Sequence, residues 1–175
     1  REAGGVGPLV SLVREGTPYA AYALANLADG NAANRDAIRE AGGVGPLVSL
    51  VREGTPEQRE QAAWALGNLT NGNEANRDAI REAGGVGPLG TLVREGTLEQ
   101  REQAAWALAT LATGNAANQD AIREVGGMGP LVSLVREGTP KQREQAAWAL
   151  GNLADGNAAN RDAIREAGGV GPLVS

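Results

Sequence analysis

The chain has 175 residues, with 26 Gly and 8 Pro, three Trp and two Tyr as its only aromatic rings, no Cys, no His and a net charge of −5. Without Cys or His, disulfide scaffolds, the usual zinc and haem ligands, Ser-His triads and Cys nucleophiles are excluded, and no cofactor is implied. No apolar run approaches the ~20 residues of a membrane span, no secretory leader is visible, and an acidic chain is a poor binder of phosphate backbones, so the expected class is a soluble, intracellular protein (cytoplasmic or nuclear) with neither a membrane nor a nucleic-acid partner.

The string Arg-Glu-Ala-Gly-Gly, once with Val for Ala, begins at Arg1, Arg39, Arg81, Arg123 and Arg165, at gaps of 38, 42, 42 and 42 residues. Copy 39–80 differs from copy 81–122 at 9 positions and from copy 123–164 at 6. A fixed period of this size marks a solenoid. Copies this close point to recent duplication or to consensus design. The chain therefore divides into a truncated first repeat (1–30), full repeats over 31–72, 73–114 and 115–156, and a partial last repeat (157–175), all within a single solenoid.

In chain order, the first unit opens at the end of a helix and continues into a second one carrying Leu9, Val10, Leu12 and Val13. Gly16-Thr17-Pro18 then runs straight into Tyr19, where the other units insert a stretch of the type Glu-Gln-Arg-Glu. A loss of four residues nearly preserves helical phase, so the third helix here is expected to start one turn late. The full units share one plan, seen in 73–114. Asn73 caps a short helix to about Arg81, with Ala75, Ala79 and Ile80 on its apolar side. Gly84-Gly85 ends it, because Gly takes left-handed φ at little cost. Pro88 is expected at the first position of a second helix, carrying Leu89, Leu92 and Val93 to about Glu95. Gly96 stops it, Thr97 with Gln100 forms a capping box, and a third helix runs to about Ala112. The same box recurs at Thr55 with Gln58 and at Thr139 with Gln142. No segment alternates like a strand, so the fold is predicted to be all-α. The second helix is too short to be stable alone and must be held by stacking on its neighbours.

At ~100° per residue, Ala62, Ala65, Leu66 and Leu69 fall on one stripe of the third helix. Glu57, Gln61, Trp64, Asn68 and Asn71 gather on another side. Trp64 therefore points away from the stripe its own helix buries. It recurs as Trp106 and Trp148, with Tyr22 in register, and Asn follows four residues later as Asn26, Asn68 and Asn152. Residues four apart are neighbours on a helix surface, so stacking the units builds a ladder of aromatic and amide pairs. Aromatics repeated in register on a polar face mark a binding surface. An Asn side chain offers a donor and an acceptor together, and Trp offers a wall for aliphatic stems and cations. Helices pack ~8–10 Å apart and two extended residues span ~6.6 Å, so about one dipeptide per repeat fits an extended peptide.

At these residues the chain resembles the armadillo repeat family. The period, the three-helix unit, the double Gly before a Pro-Leu-Val helix and the closing Trp-Ala-Leu-Gly-Asn-Leu all match. The resemblance covers essentially the whole chain and implies a right-handed superhelix. In importin-type members the third helices line a concave groove, an Asn ladder holds the main chain of an antiparallel peptide, and Trp shelves take Lys or Arg stems. By that resemblance the Asn role falls to Asn26, Asn68 and Asn152, and the Trp role to Trp64, Trp106, Trp148 and, less fully, Tyr22. Thr110 stands where the ladder expects Asn. The position three before each Trp, often acidic in basic-peptide binders, is Gln61, Gln103 and Gln145, with Tyr19 in the first unit. Glu57, Glu60, Glu99, Glu102 and Glu144, with Asp29 and Asp155, either make the groove rim acidic or form a solvated helix face.

Other patterns carry less. Gly42-Gly43-Val44-Gly45 lacks the strand and the Lys-Ser/Thr of a phosphate loop. The segment from Asp29 to Asn34 fails the ligand pattern of a calcium loop, and no metal site is expected. Asn68-Leu69-Thr70 is formally a glycosylation sequon but falls inside a predicted helix. The pairs Arg35-Asp36, Arg77-Asp78 and Arg161-Asp162 read as surface pairs or links between units. The sequence thus predicts a non-catalytic module holding an extended peptide or unstructured protein segment, a basic one if the rim is acidic and a less basic one by the Gln61, Gln103 and Gln145 positions, with Asn68→Ala weakening binding at little cost to stability. The alternative is a structural or assembly module, natural or engineered, that forms homodimers or stacks end to end through the apolar residues Leu9, Val10, Leu12, Val13, Val170, Leu173 and Val174.

Overall fold

The computed structural model describes residues 4–171; Leu173 and Val174 lie outside that range. Among the described residues there are twelve helices and no strand: α1 (Val6–Arg14), α2 (Ala20–Ala28), α3 (Ala32–Glu40), α4 (Val44–Glu53), α5 (Pro56–Thr70), α6 (Glu74–Glu82), α7 (Val86–Glu95), α8 (Leu98–Ala112), α9 (Ala116–Glu124), α10 (Met128–Glu137), α11 (Pro140–Ala154) and α12 (Ala158–Glu166). Like helices of successive units pack on one another. This gives a layer of first helices (α3, α6, α9, α12), a layer of second helices (α1, α4, α7, α10) and a layer of third helices (α2, α5, α8, α11). The chain is an all-α solenoid, and one continuous core runs along it from Val6 to Ile164.

Local chemistry fixes each boundary. Asn31, Asn73, Asn115 and Asn157 cap the first helices, each accepting a backbone N–H three residues on. The capping boxes of Thr55, Thr97 and Thr139 are all formed. Their Gln residues reach further. Gln100 Nε2 donates to Pro56 O at 2.8 Å and Gln142 Nε2 to Leu98 O at 2.7 Å, so the side chain that closes its own helix also grips the preceding one.

The two glycines of each interhelix pair do different work. Gly42, Gly84, Gly126 and Gly168 take φ of +73°, +72°, +74° and +78°. Gly43 N donates to Ile38 O and Gly42 N to Arg39 O, both at 2.9 Å, which is the two-bond Schellman closure. The second glycine is right-handed and is needed for space. A Cβ on Gly85 would meet Ile80 Cγ2 at 2.8 Å and Val48 Cγ2 of the preceding unit at 3.1 Å. The next helix starts at once from that glycine, so Pro88 is the third residue of α7, not the first, and α7 begins at Val86.

The first unit departs from its siblings by more than expected. Its third helix starts at Ala20, which aligns with Ala62, six residues into the 15-residue α5. The helix is therefore nearly two turns short. Tyr19 occupies the cap with φ +65° and no side-chain capping bond, the only non-Gly residue of positive φ among the described residues. The missing stretch removes both the capping Gln and the residues that would carry the helix back to Pro18.

Candidate functional site

The third helices are covered from three sides. α8 has α7 of its own unit and α9, the first helix of the next unit, behind it, and α5 and α11 to left and right. Ala62, Ala65, Leu66 and Leu69 are buried as the stripe predicts, but so are Ala63, Gly67, Asn68 and Thr70. The strip left open carries Trp64, Trp106, Gln61, Gln103 and Gln145, all half-buried, together with Trp148 and Tyr22, which are 44% and 47% exposed. Glu60 and Glu102 are half-buried beside them. A cleft of about 290 Å³ lies across α5, α8 and α11, walled by Trp64, Asn68, Gln103, Trp106 and Gln145, with Asp29 and Glu102 completing it. The structure thus brings five of the ten expected site residues together around one opening.

The aromatic steps are seated on their neighbours. The Trp106 ring lies over Gly67 so closely that a Cβ there would clash with Cε3 and Cζ3. This glycine is the one position in α5 where absence of a side chain makes room for the next unit's indole. At the first step Tyr22 and Trp64 pack with ring centroids 5.7 Å apart, tilted by 45°, within the range where aromatic pairs attract. α8 carries Ala109 where α5 has Gly67.

The asparagines behave differently from what the helical wheel suggests. Asn68 is 4% exposed, and its Nδ2 donates to Ala25 O of the preceding unit at 3.0 Å. Asn152 Nδ2 donates to Ala109 O at 2.9 Å and to Thr113 Oγ1 at 3.0 Å. Asn26 donates to its own helix at Tyr22 O, 3.0 Å away. The donor half of each amide is therefore engaged within the protein. A wheel drawn for one helix contains one buried face and not the flanking helices, so it sets Asn68 on the open side although the α2 and α8 neighbours bury it. Thr110 is buried as well; it accepts from Thr70 Oγ1 at 2.6 Å and donates to Ala107 O at 2.9 Å, joining α5 to α8 and leaving the ladder without an amide at that step.

Charge at the rim is one-sided. Glu57, Glu60, Glu99 and Glu102 lie close enough that Glu60 is raised above the ordinary carboxylate value, first by burial and then by the charges of Glu99, Glu57 and Glu102. Like charges held together make a negative potential ready for a cation. In the sequence alone these glutamates fit a groove rim and a solvated face equally well. The discriminating observations are the mutual proximity and partial burial of Glu60, neither of which is encoded in periodicity.

Along the first helices, Arg35, Asp36 and Asp78 of the expected pairs serve as links, as does Asp120, whereas Arg161 bonds to Ala154 O and Asp162 to Arg165. Asn73, Asn115 and Asn157 donate to Asp36, Asp78 and Asp120 of the preceding unit at 2.9, 3.1 and 3.0 Å. Those bonds, helped by Arg39, Arg81 and Arg123, hold the three carboxyls below their ordinary value. Arg35 donates to Asn71 O at 2.9 Å, and Gln119, standing where Arg77 stands one unit earlier, donates to Asn152 O at 2.9 Å.

No helix among the described residues is long and apolar enough to cross a membrane. The Armadillo/beta-catenin-like repeat matches residues 31–71, 73–113 and 115–155. A designed armadillo repeat protein in complex with the peptide (KR)4 superposes with a TM-score of 0.91 at 33% identity, over 98% of this chain and 74% of that one. A computationally designed armadillo repeat protein for modular peptide recognition gives 0.91 at 32% identity, over 98% and 74%. An engineered protein gives 0.91 at 38% identity, over 97% and 70%. Curated protein sequences give no match.

Proposed function

The chain belongs to the armadillo repeat family, and from that premise we propose that it is a non-catalytic module that holds an extended, basic peptide across its third helices. The observation that carries the reading is the cleft between Trp64 and Trp106, with the Glu57, Glu60, Glu99 and Glu102 cluster at its edge. The similar designed protein bound to (KR)4 supports the same class of ligand.

In this reading Trp64, Trp106 and Trp148, with Tyr22 at the first step, are shelves for the methylene stems of Lys or Arg, and cation–π attraction adds to the contact. Glu60 and Glu102 take the charged ends. Gln61, Gln103 and Gln145 are neutral donors and acceptors one turn before each shelf, suited to polar contacts with side chain or main chain. Asn26, Asn68 and Asn152 present Oδ1 to peptide N–H groups, while Nδ2 stays on the protein carbonyls. The grip is thus single per asparagine, and the step at Thr110 relies on its aromatic neighbours.

Calorimetric titration with an octapeptide of alternating Lys and Arg tests this. Saturable binding that weakens from low to physiological salt is the expected result, with an acidic octapeptide giving no heat. Equal heats from both peptides, or none from either, would reject the reading.

A further inference from the structure

The shortened helix of the first unit opens a second cavity, and we propose that it receives one aromatic side chain of the bound peptide, giving the first repeat a preference unlike that of the others. This rests on the peptide-binding reading above. The cavity holds about 230 Å³ between Pro18, Tyr19 and Ala21 of the first unit and Leu50, Glu57 and Gln61 of the second. It occupies the place where a full-length α2 would have carried two further turns, by analogy with α5.

Three observations define the occupant. Several polar groups of the walls are already paired: Thr55 N donates to Gln58 Oε1 at 2.9 Å, Thr55 Oγ1 to Glu57 Oε2 at 3.2 Å, and Gln58 Nε2 to Gly16 O at 2.8 Å, while the Gln61 amide and the Thr17 hydroxyl also line the space. The apolar part of the lining is the pyrrolidine of Pro18, the Tyr19 ring, the Ala21 methyl and Leu50. An apolar cavity of about 150 Å³ accepts a benzene ring, so the space suits a single aromatic side chain. The missing stretch also deletes the glutamate that the other third helices carry as Glu60, Glu102 and Glu144, so the first unit offers an apolar wall where its siblings offer a carboxylate. The cavity lies beside the peptide face, since Gln61 lines it and lies one turn from Trp64 on α5. A side chain leaving a peptide on the Trp shelves toward the helix N-termini reaches it. Tyr19, 80% exposed, closes the outer edge.

The test is a positional scan in which Phe or Ala replaces each residue of the alternating Lys/Arg octapeptide in turn. At one position near one end of the peptide, Phe is expected to bind about tenfold more tightly than Ala, the value for burying one such ring. Inserting Glu-Gln-Arg-Glu between Pro18 and Tyr19 restores the missing turns; the Phe preference should disappear while the unsubstituted peptide binds at least as well. Tyr19→Asn, which tolerates the left-handed backbone, should lose about threefold of the preference. A protein that binds the unsubstituted peptide yet shows no Phe preference at any position would overturn the cavity assignment and leave the groove intact. Should no basic peptide bind, the cavity is judged alone with N-acetylphenylalaninamide. Shifts of the Thr17, Ala21 and Thr55 amide signals in the natural chain but not in the insertion variant support it, and their absence overturns it.

Discussion

Two surfaces of this solenoid repeat with the same period and use the same residue type, yet they end in different states. Along the first helices, asparagine closes the seams. Asn118 is fully buried; its Nδ2 donates to Leu111 O at 3.0 Å and its Oδ1 accepts from Arg81 at 3.0 Å, and Asn160 repeats both bonds one unit later. Along the third helices, asparagine uses only its donor, toward the preceding unit at Asn68 and Asn152 and within its own helix at Asn26, and Trp, Gln and Glu leave open surface beside it. Recurrence is common to both faces, so recurrence alone does not mark a binding site. What separates them is the setting of the amides: Asn118 and Asn160 use both donor and acceptor in buried seams, and even the unpartnered Oδ1 of Asn76 is sealed from solvent, so these amides specify stacking, whereas a half-used amide beside exposed rings and clustered carboxylates is available to a ligand. Asn68 belongs partly to each side, because its bond to Ala25 O joins α2 to α5.

The sharpest way to break the distinction is at the seam. Asn118→Ala strips partners from Leu111 O and Arg81, so a loss of roughly 2–4 kcal/mol is expected in urea unfolding, with peptide affinity in the folded protein unchanged. The converse is Trp106→Ala, expected to cost about 2 kcal/mol of peptide binding and less in stability, since that ring is half-exposed; a larger loss in unfolding than in calorimetry would make Trp106 a stacking residue. Gly67→Ala puts a methyl into the Trp106 seat. About 1–2 kcal/mol of overpacking is expected, with a red shift of Trp emission as the indole is pushed outward. Asn68→Ala is expected to lose about 1 kcal/mol of stability as well as affinity, so the small stability cost expected from sequence alone is revised upward.

The smallest effects are those of pH, and they differ in sign between the faces. Asp36, Asp78 and Asp120 are held below their ordinary value. Their bonds therefore stabilise the fold above the unfolded carboxylate range and are lost as pH falls through the lowered folded values. Glu60 is raised, so it opposes folding once ionised and is relieved as pH falls through the raised value. A basic peptide needs that charge, and its affinity should rise with pH through the carboxylate range of about 4–5. Calorimetry over that interval, with Glu60→Gln as the comparison, checks it; the variant should lose most of the pH dependence.

Much of this architecture is legible in the sequence because it is written in local chemistry repeated several times. The caps at Asn73 and Thr97, the glycine stops and the apolar stripe of the third helix each follow from neighbouring residues. What is not legible depends on the next unit. Burial of Asn68 and Thr110 arises from flanking helices, the need for Gly67 arises from an indole 39 residues later, and Gly85 is small partly because Val48 of the preceding unit presses on it. Deletion in the first unit is visible as four missing residues, but its effect is larger because it also removes the capping Gln that would restart the helix.

The indoles face the ligand, and their three Nε1–H resonances report on it. Titration with the Lys/Arg octapeptide should move the Trp64, Trp106 and Trp148 signals together, along one saturation curve, while the side-chain amides of Asn76, Asn118 and Asn160 stay in place. Unmoved indole signals at saturating peptide, or movement confined to the seam amides, would contradict that orientation.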